Sequence, residues 1–256
     1  MKKEDVLKCG ATPLTASPVS LIPHRFYGRE YLYIYYETDP EALRAALPEP
    51  LEPVEAPLVR FELMKMPDAT GFGSYCESGQ AIPCQLDGVR GDYLHMMYVD
   101  NFEAIAAGRE IHAYPKKLGW PKLFVDDNTL VGTLDYGKDC KFRIANATMD
   151  YKYHAMDPEE ALRTLTEPTF MIKMMRGYDG RLLKCELARV DTLVENVKVL
   201  EAWTGDARLQ LFDHVKCPLG DLPVRRIVKA EHIIADITLG RPVTVYDYMN
   251  QIDKVL

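Results

Sequence analysis

The dipeptide Asp87-Gly88 lies between two strand-like runs within residues 74–99 and constrains the fold more than any other local signal. Asp-Gly supplies the two left-handed positions of a tight two-residue turn, so the flanking runs read as an antiparallel hairpin. Similar signals recur along the chain. Residues 30–38 are rich in Tyr and Ile with rough alternation, and residues 58–66 alternate apolar with polar or charged side chains. A strand-rich block covers 123–149, and further strands are expected at 170–175, 183–190 and 233–239. Helical signals are few and short. Asp39-Pro40-Glu41 opens one that runs to Leu47, with Asp as N-cap and Pro in the first turn. Asp157-Pro158-Glu159-Glu160 repeats the device, with Glu160 placed to complete a capping box. A helical turn is expected at 103–109, and the Pro-rich first 28 residues read as irregular. Many strands with frequent turns predict an α+β chain that is mostly β. The expected core is antiparallel and barrel-like, with a few short helices. No linker divides residues 1–256, so a single domain is expected.

Charge and leader signals narrow the partners. The 256 residues carry a net charge of -7, which offers a polyanion no attraction, so nucleic-acid binding is not expected. Met1-Lys2-Lys3-Glu4-Asp5 is not followed by an apolar leader core, and no apolar run is long enough to span a bilayer. Six scattered cysteines, with no C-x-x-C pair, argue against a zinc site or a disulfide framework and fit reduced thiols in the cytoplasm.

Several chemistries lack their signatures. None of the four serines lies in G-x-S-x-G. The six histidines show no close ligand spacing, and Gly71-Phe72-Gly73 lies in a hairpin region rather than at a dinucleotide-binding turn. What does stand out is Lys116-Lys117, set in His112-Ala113-Tyr114-Pro115-Lys116-Lys117-Leu118-Gly119-Trp120-Pro121. An ammonium in apolar surroundings loses hydration, which favours the neutral amine. A neutral lysine amine attacks ketones and aldehydes to form a Schiff base. The alternative is a solvated loop beside core aromatics, and the segment alone favours it. Tyr114, Met97 and Trp120 are candidates to line a pocket, although plain core is the ordinary role of such residues.

Longer blocks alter that balance. Leu86-Asp87-Gly88-Val89-Arg90-Gly91-Asp92-Tyr93-Leu94-His95-Met96-Met97-Tyr98, Ala113-Tyr114-Pro115-Lys116-Lys117-Leu118-Gly119 and Leu130-Val131-Gly132-Thr133-Leu134-Asp135-Tyr136-Gly137 closely resemble acetoacetate decarboxylases. So do Cys76-Glu77-Ser78-Gly79-Gln80-Ala81-Ile82-Pro83 and Glu201-Ala202-Trp203-Thr204-Gly205, and the resemblance runs from about residue 13 to 248. It implies decarboxylation of a small β-keto acid, acetoacetate, to acetone and carbon dioxide, with no metal or organic cofactor. The activated lysine is an established feature of that family rather than a deduction from this chain. By resemblance, Lys116 forms the Schiff base and Glu77 and Arg29 are the other catalytic-site residues. Gly28-Arg29-Glu30-Tyr31 has Gly where the best-known member has Asn, and residues 138–141 form a slightly longer stretch than the common pattern. The resemblance also implies a large homo-oligomer.

These residue types suit the chemistry. A protonated imine on Lys116 is a better electron sink than a ketone. Arg29 can pair with the substrate carboxylate bidentately. Glu77 can position Arg29 or the imine, assist proton transfer, or disfavour the bound carboxylate. Other Schiff-base activities on larger keto acids, such as an aldolase or a dehydratase, remain alternatives. So does a non-enzymatic barrel that binds small hydrophobic acids, with Lys116 as counter-ion. Arg29 and Glu77 together favour decarboxylation over the other Schiff-base activities. As for Lys117, repulsion between two ammonium groups at about 7 Å and a dielectric of about 20 is about 2.4 kcal/mol. Burying a lysine completely has the larger effect. Neighbours in an extended chain point to opposite sides, so Lys117 is expected to face away from the pocket.

Overall fold

The computed structural model describes residues 1–252 except Ser20 and Ile22. Its elements, in chain order, begin with α1 (Lys3–Val6), β1 (Arg25–Glu37), α2 (Pro40–Ala46) and β2 (Glu52–Pro53). Next come β3 (Leu58–Ala69), β4 (Gly73–Leu86), β5 (Val89–Val99), α3 (Phe102–Glu110) and β6 (Lys116–Leu118). Then follow β7 (Trp120–Asp126), β8 (Thr129–Tyr136), β9 (Phe142–Asp150), β10 (His154–Ala155) and α4 (Pro158–Thr166). The remainder is β11 (Thr169–Arg176), β12 (Leu182–Val190), β13 (Lys198–Thr204), β14 (Ala207–Leu211), β15 (Arg226–Thr238), β16 (Val243–Asp247) and α5 (Tyr248–Ile252).

Among the described residues the strands form a 12-stranded sheet, ordered β10-β13-β15-β1-β3-β4-β5-β11-β12-β16, with β2 on β4 and β6 on β5. A 4-stranded sheet, β14-β9-β8-β7, covers part of it. Pairing is antiparallel except where β5 meets β11 and β6. The mostly β expectation with few helices therefore holds. Among the described residues β10 and β16 do not pair, so the large sheet is not closed into a barrel by hydrogen bonding. No described helix is long and apolar enough to cross a membrane.

Local chemistry explains these elements. Asp87 and Gly88 take φ of 49° and 79°, the two left-handed positions expected of the hairpin between β4 and β5. β1 starts at Arg25, inside the stretch expected to be irregular. The reason is a register shift between Phe26 and Arg29, with Gly28 at φ 59° and its N–H donating to Asp236 Oδ1 at 2.7 Å. Such a bulge interrupts the alternation by which a strand is recognised. α3 is a full nine-residue helix rather than a turn, because Asn101 caps it by accepting from the Ala104 N–H at 2.8 Å. Asp157 caps α4 through the Glu159 N–H, whereas Glu160 turns to Lys229 at 3.8 Å instead of closing a capping box. Asp39 sits at the N-cap of α2, but its carboxylate accepts two hydrogen bonds from Arg225, both at 2.7 Å. A bidentate charge-assisted pair outcompetes a single cap bond.

Alternation along the central strands divides the interior in two. Leu32, Ile34 and Tyr36 of β1, with Phe61 and Leu63 of β3, face the small sheet and pack on Leu123, Leu130 and Leu134. Tyr31, Tyr33 and Tyr35, with Met64 of β3, face the opposite way into a second apolar cluster that includes Met97, Leu165 and Ile237. The site lies within this second layer.

Candidate active site

A cavity of about 90 Å³ opens in the second layer, lined by residues of β15, β1, β3, β4, β5, β6, β11, β12 and α4. Lys116 enters it as the first residue of β6, which pairs in parallel with Met97–Val99 of β5. Its backbone is held on both sides of the residue. The Lys116 N–H donates to Tyr114 O at 2.8 Å, and Arg109 Nη1 donates to Lys116 O at 3.1 Å. Alternation then sends Lys116 inward, where it is 7% exposed, and Lys117 outward. Lys117 Nζ donates to the carbonyl of Lys216 and lies 5.8 and 5.5 Å from the rings of Tyr98 and Tyr136. The predicted separation of the two lysines is therefore present.

Glu77 projects from β4, opposite Met64 and Val99 in the register, and is 2% exposed. Its Oε1 accepts from Lys116 Nζ, and its Oε2 lies 3.7 Å from Arg29 Nη2. Arg29 stands immediately after the bulge at Gly28, which aims it into the cavity. Asn shares with Gly a tolerance of left-handed backbone, so the Gly28 departure leaves this geometry intact. The guanidinium sits 4.9 and 4.8 Å from the rings of Phe26 and Tyr31 and donates from Nη2 to Met64 Sδ at 2.8 Å. Burial opposes its charge, but neighbouring Tyr31 and Glu77 more than offset burial and raise it above its ordinary range. Arg29 Nε is buried and has no hydrogen-bond partner among the described residues. Lys116, Glu77 and Arg29, more than 30 positions apart in sequence, thus meet in one place.

Tyr114 and Met97 line the cavity, as the sequence suggested, and Tyr75 joins them. Lys116 Nζ lies 5.8 and 5.3 Å from the rings of Tyr75 and Tyr114. Trp120 does not line it; it opens β7 in the small sheet. Sequence reasoning missed a second charged group beside the first. Arg60 and Glu62 of β3 both line the cavity and are 4% and 3% exposed. Arg60 donates from Nε to Glu62 Oε2 at 3.3 Å and from Nη1 to Asp92 on β5. Burial pushes the Glu62 carboxyl up, and Arg60 only partly opposes it. Gly79 leaves the space Glu62 occupies, since a Cβ there would lie 2.6 Å from Glu62 Oε1. The available signal was that Arg60 and Glu62 share the parity of Met64 on β3.

Comparison with known proteins places the chain in a family. Residues 11–249 match the family model of Acetoacetate decarboxylase (ADC). The chain belongs to the acetoacetate decarboxylase family. It is 55% identical to the acetoacetate decarboxylase of Clostridium botulinum over 251 residues, covering 98% of this chain and 100% of the relative. It is likewise 55% identical to the acetoacetate decarboxylase of Clostridium acetobutylicum over 249 residues, covering 97% and 100%. A solved acetoacetate decarboxylase structure superposes with a TM-score of 0.93 at 55% identity, covering 97% of this chain and 99% of the other. The fold is thus that of an acetoacetate decarboxylase family member.

Proposed function

We propose that this chain decarboxylates acetoacetate to acetone and carbon dioxide through a Schiff base on Lys116. The observation that carries the reading is a buried lysine amine bonded to Glu77, beside an arginine with an uncommitted Nε. The substrate carboxylate pairs with Arg29, whose buried donor gains a partner and whose forked geometry matches it. Glu77 takes the proton that the Lys116 ammonium must lose. The amine then adds to the keto carbon, and water leaves with that proton returned, giving the iminium. The bond between the carboxyl carbon and its neighbour breaks, its electron pair flows into the iminium, and carbon dioxide departs to leave a neutral enamine. One proton from solvent adds at carbon. Water hydrolyses the resulting iminium, releasing acetone and free lysine, so the sum of the steps consumes one proton per turnover. No cofactor enters this sequence.

The same reading extends to the whole chain. Residues 1–256 act as one domain, and the large sheet curls around the cavity as a barrel-like core. The spread of lining residues from β15 across β1, β3, β4 and β5 to β12 supports that curl. Met174, Met175 and Leu183, which are 53%, 50% and 63% exposed on the β11–β12 hairpin, suit burial against further copies in a large homo-oligomer. Six cysteines without disulfides suit the cytoplasm. The net charge of -7 does not favour a nucleic-acid partner, and no membrane partner is assigned.

Borohydride reduction in the presence of acetoacetate, followed by peptide mass analysis, tests the mechanism. An isopropyl group on Lys116 is expected, because reduction captures the imine of acetone. Lys116→Ala should lose the adduct and lower kcat by more than about 10⁴-fold. An adduct on another lysine would move the nucleophile. An unmodified protein that releases no gas would favour the ligand-binding barrel.

A further inference from the structure

Gly108 lies inside α3, is buried, and keeps negative φ, so it is not there for a left-handed turn. A glycine inside a helix weakens it relative to alanine. What the position gains is space. A Cβ at residue 108 would lie 2.6 Å from Cδ, 3.0 Å from Cε and 3.4 Å from Nζ of Lys116. All three nearest atoms belong to one flexible side chain, so a methyl group here displaces the lysine and leaves the frame in place. The next residue, Arg109, holds the carbonyl of Lys116, and Gly108 O accepts from the Tyr114 N–H at 2.9 Å. Behind the lysine, Gly108 borders a hollow of about 30 Å³ with Ala104, Ala107 and His112. We propose that Gly108 is a positioning residue for the decarboxylation, its missing side chain forming the groove that aims the Lys116 amine at the substrate.

This inference rests on the reading that Lys116 is the nucleophile. Local propensity and function therefore pull in opposite directions at residue 108, as happens at sites built for chemistry. Gly108→Ala should keep or raise the melting temperature of the full-length protein. It should lower kcat and the rate of borohydride trapping by about a hundredfold, the effect of misplacing a reacting atom by about 1 Å. Inhibition by 3-hydroxybutyrate, which keeps the carboxylate and lacks the ketone, should be unchanged because Arg29 has not moved. If Gly108→Ala instead proves unstable, the same substitution made on Lys116→Ala decides the matter. With the lysine removed, the methyl group should no longer destabilise. Unchanged trapping in Gly108→Ala would overturn the proposal. So would equal destabilisation with and without Lys116, or loss of 3-hydroxybutyrate inhibition in step with kcat. Trapping of the unsubstituted protein tests the nucleophile separately, so failure of that reading is distinguishable from failure of this one.

Discussion

Arg29, Lys116 and Glu77 set two cations against one carboxylate, whereas Arg60 and Glu62, which line the same cavity, join Asp92 to set one cation against two. In the second group Arg60 bonds both carboxylates and no nitrogen of it is orphaned among the described residues. In the first, Arg29 Nε has no partner among the described residues. A satisfied buried network fixes geometry, while an orphaned buried donor marks where a ligand can pair. The difference divides the labour. On the proposed reading, the group with surplus positive charge receives the substrate anion, and the group with surplus negative charge holds Glu62 in place.

The sharpest way to break that division is to remove Arg60. Arg60→Met should destabilise the protein by about 3–5 kcal/mol, because two buried carboxylates lose the cation they share. Arg29→Met should lower stability less, since Glu77 keeps Lys116, but should cripple kcat/KM for acetoacetate. Urea unfolding of the two variants measures the contrast, and equal losses of stability would abolish it.

A smaller effect concerns pH. The Glu62 carboxyl is raised above its ordinary value of 4.5 in the folded protein, chiefly by burial. Between the ordinary and the raised value, the folded state therefore holds a proton that the unfolded state has released. Stability must fall as pH rises through that window. Glu62→Gln removes this contribution. The drop in melting temperature from about pH 4 upward should be shallower in the variant than in the parent. Parallel curves would mean that Glu62 is as ionised in the fold as in the open chain.

What the sequence revealed follows the same contrast. The Asp87-Gly88 turn, the strand pattern of residues 30–38 and the opposite facing of Lys116 and Lys117 all express a period of two, which one strand records by itself. Lys116, Glu77 and Arg29 could be nominated as site residues because each sits in a motif block that resembles a family. Arg60 and Glu62 were not. Charged residues at alternate strand positions normally mark a solvated face, and only the tertiary fold, in which residues of α4, β11 and β12 line the same cavity, turns that face inward. The start of β1 was hidden for a local reason, since the Gly28 bulge breaks the alternation just where it aims Arg29. Asp39 was legible as a cap by type, but its partner, Arg225, lies 186 positions away, beyond any local pattern.

The mildest substitution bears on the two adjacent lysines, where burial and charge compete as influences on the amine proposed as the nucleophile. Lys117 faces away from the cavity, and its ammonium is engaged by the Lys216 carbonyl and the rings of Tyr98 and Tyr136. Lys117→Met should therefore lose a charged hydrogen bond and a cation–π contact, together about 1–3 kcal/mol of stability. Its kcat, its pH profile and its rate of borohydride trapping should stay near those of the parent, because the enclosure of Lys116 by Tyr75, Tyr114 and Glu77 is untouched. Folded Lys117→Met protein with a large loss of trapping rate would reverse the ranking. It would mean that the outward charge, acting through the protein, contributes more to the reactive amine than the walls around it do.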